Sequence, residues 1–261
     1  MKLKKDKLDG SHIIPTVDDP EGFAAAVEKN EGELQAYITE CRSHLESLRD
    51  AIYKTLDAGL DNASLFQAKN DSPVPFAGIT PSAFLKKAYT VQEYDAEGNG
   101  IENRDQPYIQ AGLDFTKFCE SESLSDEHKL LADASSQTAA INTAISQLNR
   151  LEMCLKKKDY EKVYILKETI DNGAQTVLET AKNSKMIQTI PNQNFVQKIL
   201  SSIAEAVGKI GGFFSNLGKS ETQKFKERFT EVKDKVAQQR VEANATPEPD
   251  AAPSAETQFK P

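Results

Sequence analysis

The side chains able to do chemistry are few and scattered. Three cysteines (Cys41, Cys119, Cys154) and three histidines (His12, His44, His128) are spread along the chain, with no Cys-x-x-Cys pair and no His-Glu-x-x-His run. A zinc site needs such ligands at fixed spacing, so ordinary polar histidines are expected and no metal. A cysteine nucleophile needs a base brought near it. Cys41 and Cys154 fall inside helical patterns, where a thiol behaves as a small hydrophobe. Cys119 closes a short helical pattern, and His128 follows across a turn, but nothing in the sequence orients that pair. Structural cysteine is the preferred reading, with no catalytic residue and no cofactor.

Two further stretches carry chemical signals. Asp95-Ala-Glu97-Gly-Asn99-Gly100 has the oxygen ligands and the glycine of the first half of an EF-hand loop. The match then stops: the twelfth position is Gln106 rather than a bidentate glutamate, and Pro107 opposes an exiting helix. A polar turn is preferred. The second stretch is Phe195–Leu217, whose Phe195, Ile199, Ile203, Ile210, Phe213, Phe214 and Leu217 form a wide apolar stripe. The opposite face is rich in Ser and Gly and weakly charged. It looks like the lipid-packing-sensor class of amphipathic helix, in which inserted apolar side chains supply the affinity. Packing of the stripe against a bundle or the next helix is the competing reading, and the preferred one. No Gly-rich phosphate cradle is present.

The elements that must position these residues are helices. Asp19-Pro20 opens a short helix that ends near Gly32. Leu34, Ile38, Cys41, Leu45, Leu48, Ile52 and Thr55 then lie on one seam of a long helix, with Gly59 as its C-cap. Residues 60–107 are irregular, with a helix from Pro81 to about Tyr89 and a turn that can close a hairpin between 91–94 and 100–103. Ser125 caps a second long helix carrying Leu131, Ala134, Thr138, Ile141, Ile145, Leu148 and Leu155, interrupted at Glu152. A turn at 156–159 leads to an antiparallel partner carrying Val163, Leu166, Ile170, Ala174, Val177 and Ala181. Asn192 or Asn194 caps the striped helix, and Ser220 with Gln223 marks a further one.

The expected architecture is all-α: a bundle of long antiparallel helices with an irregular insert at about 60–107 and a disordered C-terminal tail. The divisions are 1–16, mobile; 17–190, the bundle; 191–240, a helical pair; and 241–261, an acidic Pro/Ala tail too polar to offset its ordering entropy. With 38% hydrophobic residues and a net charge of −8, the chain is not expected to bind nucleic acid, whose phosphates call for a positive field. The basic N-terminus has no apolar run behind it, so neither a signal peptide nor a membrane span is expected, and sparse, odd cysteines point to a reducing compartment.

Long capped helices, no N-terminal signal and a polar C-terminal end make the chain resemble translocated effectors of the Legionella-type (Dot/Icm) type IV secretion system. The resemblance rests on general style and the last residues, where Glu242, Glu248, Glu256 and Phe259 fit the family's export signal. It implies synthesis in a bacterial cytoplasm and delivery into a host cell, and it carries over no catalytic residue. The leading expectation is a non-enzymatic helical interaction or adaptor protein that binds a protein partner through its helical faces. The alternatives are a peripheral membrane binder acting through 195–217 and an enzyme with an unfamiliar site. Nothing in the sequence fixes the oligomeric state.

Overall fold

Helix boundaries follow from local capping chemistry. In the computed structural model, which describes residues 2–5, 13–16, 20–60, 79–95, 99–101, 110, 112 and 125–217, α1 runs Pro20–Lys29 and α2 Glu31–Leu60. The break falls at Asn30 rather than Gly32, because the Asn30 side-chain amide donates to the Ala26 carbonyl and helps end α1. The short α3 spans Pro81–Ala88, with Thr80 accepting from the Ala83 backbone N–H. Ser125 caps α4, Asp126–Lys156, and Asp159 caps α5, Tyr160–Asn183. A five-residue α6, Lys185–Thr189, precedes α7, Gln193–Leu217. Of the two candidate caps for α7, Asn192 is the one used: its Oδ1 accepts from the Phe195 N–H at 3.0 Å.

The long helices α2, α4, α5 and α7 form an up-down-up-down four-helix bundle. Helix α2 packs on α4 and α7, and α5 packs on the same two. Each contributes one apolar stripe to a common core. On α5 this stripe is Val163, Leu166, Ile170, Ala174, Val177 and Ala181, all buried. On α2 it follows Leu34 through Ile52 as expected, then shifts to Leu56 and Leu60. A straight helix has 3.6 residues per turn, so a strict seven-residue repeat drifts off its seam. Thr55 is accordingly only half-buried, and Gly59 lies inside the helix. Lys2–Lys5 and Ile13–Thr16 pair as a two-stranded antiparallel ribbon at the N-terminus. Met1–Gly218 form one compact unit, so α7 joins the bundle core directly. The second helix of the expected 191–240 pair, the tail from 241 and most of the 60–107 insert lie outside the described residues.

Register between α2 and α4 is set by polar ties. Arg42 bonds Glu152 at 2.5 Å, and Arg49 Nη1 donates to Asn142 Oδ1 at 2.8 Å. Glu152, read from sequence as an interruption of the seam, is half-buried and also holds Lys156 at 2.8 Å. Lys156, and then Arg42, keep its carboxyl below the usual range against the opposing effect of burial. Asp57 on α2 fixes α3, accepting from the Ser82 N–H at 2.8 Å and its hydroxyl at 2.6 Å. Asp133 on α4 likewise accepts from the Ser184 hydroxyl and the Met186 N–H, anchoring α6.

The α4–α5 turn contains a Schellman cap. Asp159 N–H donates to the Cys154 carbonyl and Lys158 N–H to Leu155, with Lys158 at φ 56°. Glycine usually occupies that left-handed position, since a Cβ costs about 1–2 kcal/mol there. Lys158 also pairs with Glu28, but both are exposed, and such pairs contribute little. In urea unfolding, Lys158→Gly is expected to exceed Lys158→Ala in stability by about 1 kcal/mol. Equal values would mean the turn relaxes. Leu48, fully buried on α2, is expected to cost about 2–5 kcal/mol as Leu48→Ala. A loss under about 1 kcal/mol would contradict the central place of this seam.

Candidate functional site

The apolar stripe singled out from the sequence faces the bundle core. Ile199, Ile203, Ile210, Phe213 and Phe214 are buried, and Leu217 is half-buried against the same cluster. Phe213 and Phe214 meet edge to face at 5.5 Å. Of the seven residues, only Phe195 is exposed, at 41%. The physical reason is that the stripe's period matches the groove between α2 and α5, so its apolar area is taken up internally. Lys209 fastens the helix from the side, 3.0 Å from both Glu40 on α2 and Glu205 one turn back. These residues therefore form no exposed patch in this conformation. The export residues Glu242, Glu248, Glu256 and Phe259 lie outside the described residues, as do Cys119 and His12. No described helix is long and apolar enough to cross a membrane.

The remaining reactive groups are not brought together. Cys41 and Cys154 are buried free thiols. Burial, with the neighbouring Glu40, pushes the Cys41 thiol up to about 12. Burial also raises Cys154. Both hold their protons, the opposite of an activated nucleophile. His128 is held by its own helix cap, with Nδ1 2.5 Å from Ser125 Oγ. Asp95 closes a turn on itself: its carboxylate accepts from the Asn99 backbone N–H at 2.7 Å and the Asn99 amide at 3.2 Å. Tyr94 and Gly100 form an antiparallel bridge there, as the hairpin reading expects. Among the described residues no three potential metal ligands cluster.

A different feature emerges where α2, α3, α4 and residues 89–93 meet. An open cleft of ≈ 630 Å³ lies there, with Arg49, Tyr53, Lys86, Tyr89 and Asn142 among its lining residues. Asn142, 4% exposed, fixes its floor. Its Oδ1 accepts from Arg49, and its Nδ2 donates to the Tyr89 carbonyl. Arg49 can only donate and a carbonyl can only accept, so the amide has one possible orientation. The Gln92 N–H donates to Ser146 Oγ at 2.8 Å, holding residues 89–95 against α4. Lys86 sits 5.1 Å above the Tyr53 ring, a cation–π contact. Ile101, 48% exposed, and Val91 also line the cleft.

This arrangement suits binding: fixed donors, aromatic walls and an exposed apolar edge on a rigid scaffold. The sequence reading missed it, since Arg49, Tyr53, Lys86, Tyr89 and Asn142 form no motif. The one local hint is that Arg49 and Tyr53 are four residues apart and share a helix face.

The raised Cys41 thiol has a measurable consequence. An unfolded thiol loses its proton near 9.0, whereas the folded one keeps it to about 12. In that window the native state binds more protons, so this contribution to stability falls as pH rises. The stability advantage of the wild type over Cys41→Ala should therefore shrink between pH of about 8 and about 10.5. A gap independent of pH would show that the thiolate is not excluded.

No protein-family model matches the chain, and no curated protein or solved structure matches it either.

Proposed function

We propose that the chain is a non-enzymatic helical interaction protein that captures a segment of a partner protein in the cleft between α2, α3 and α4. The observation that carries this reading is the convergence there of a positioned arginine, a lysine over a tyrosine and an exposed isoleucine. Arginine and tyrosine are the residue types that dominate binding energy at protein interfaces. The four-helix scaffold holds them in place, so little ordering cost is left for the moment of binding. The acidic net charge favours a protein partner over nucleic acid. Delivery into a host cell as an effector is part of the same reading. It rests on Glu242, Glu248, Glu256 and Phe259 and is tested separately, by removing residues 242–261 in a translocation reporter assay. Unchanged delivery would remove it.

Partner capture is tested by selecting peptides against the full chain from a random display library. A recurring sequence pattern is expected. Binding of the selected peptides should weaken by roughly tenfold or more in Ile101→Asp, a change at an exposed position. Peptides that bind with unchanged affinity to Ile101→Asp and to Lys86→Ala would place recognition elsewhere and overturn the reading.

A further inference from the structure

The charges in the cleft narrow its ligand class; this step rests on the proposed partner capture. Among the described residues six cations pair with a carboxylate: Arg42 and Lys156 with Glu152, Lys129 with Asp126, Lys158 with Glu28, Lys162 with Asp159, and Lys209 with Glu40 and Glu205. The two cations lining the cleft differ. Arg49 bonds only the neutral amide of Asn142, and Lys86 only the Tyr53 ring, among the described residues. Arg49 Nε is buried with no acceptor among the described residues. Two positive charges on two helices thus line one opening without a matching acid bonded to them.

Two acids also line the opening without bonding either cation. Asp50 and Glu93 are exposed lining residues. Their charges cancel the long-range field of Arg49 and Lys86, while contact with the two cations remains favourable at short range. A single carboxylate entering the opening meets modest repulsion from these acids. A phosphate carries about two charges and more strongly repels Asp50 and Glu93.

We infer that the Arg49–Lys86 end of the cleft recognises one carboxylate of the partner segment, an aspartate, a glutamate or a chain terminus, with a neighbouring apolar residue seated on Ile101 and Val91. Arg49 supplies planar, fixed donors suited to a carboxylate. Asn142 is a positioning residue: both halves of its amide are used, one on Arg49 and one on Tyr89. Lys86 adds charge from the opposite helix, and Asp50 with Glu93 set the preference for one negative charge over two.

The test uses peptides selected by display on the full chain, and it separates this inference from the reading it rests on. Loss of binding in Ile101→Asp establishes that a peptide sits in the cleft. The expected result is then an acidic residue or free C-terminus at a constant place in the pattern. Neutralising it, as glutamine or an amide, should weaken binding roughly tenfold. The same change should cost less in Lys86→Gln, because Arg49 is then the one cation left to meet the acid. Replacing the acid by phosphoserine should weaken binding to the wild type, and Glu93→Gln should narrow that gap. Lys86 and Glu93 are exposed, so both variants keep the core intact. Cleft-bound peptides without an acid, or equal losses in wild type and Lys86→Gln, overturn the carboxylate assignment while leaving partner capture standing. Preference for phosphoserine over glutamate overturns it too.

Discussion

Helix α2 has to satisfy two neighbours at once, and the rest of the fold depends on that. Its apolar residues from Leu34 to Leu60 contribute to the core it shares with α4 and α7. Apolar contact alone fixes closeness but leaves sliding by a helical turn comparatively cheap. The polar ties remove that freedom. Arg42 and Arg49 lie seven residues apart on α2 and reach Glu152 and Asn142 on the antiparallel α4. A slip of one turn, about 5.4 Å, would break both bonds together and leave Asn142 buried with an unused acceptor. The cleft inherits its geometry from this register, because Arg49 and Asn142 belong to its floor.

Economy of apolar surface explains which roles the fold leaves open. The widest stripe in the sequence belongs to α7, and the core absorbs nearly all of it. A membrane role for that helix requires it to leave the bundle, exposing Ile203, Ile210 and both phenylalanines together with the facing sides of α2 and α5. The thiols at 41 and 154 are absorbed in the same way, which raises their proton affinity. Among the described residues, what stays outside is mostly polar, with Ile101, Ile165 and Phe195 as the exposed large apolar side chains. Of these, Ile101 lies beside fixed donors.

Much of the helical scaffold was legible because its signals are local and periodic. The buried positions of α5 follow from spacing alone, and Ser125, Thr80 and Asn192 announce helix starts by side-chain chemistry. The errors have physical causes of the same scale. A strict seven-residue repeat puts Thr55 on the seam, and a straight helix does not keep that repeat. Gly32 and Gly59 read as helix ends by residue type, yet both lie within α2, where an added Cβ would meet open space. The cleft was not legible at all. It depends on which turn of α4 faces Arg49 and on how residues 89–95 lie against α4, and both are tertiary facts.

The glycines of α7 bear on how the bundle comes apart. At Gly208, Gly211 and Gly212 an added Cβ would meet nothing within 4 Å, so close packing does not require them. Each leaves the backbone freer in the unfolded chain and more open to water in the folded one, at about 1 kcal/mol relative to alanine. All three fall in the last ten residues of the helix, Gly208–Leu217, beyond most of its buried residues. Amide protons there should exchange with solvent sooner than those at the middle of α4. Opening would then run inward from the Leu217 end as a graded loosening of one helix, before the other three separate.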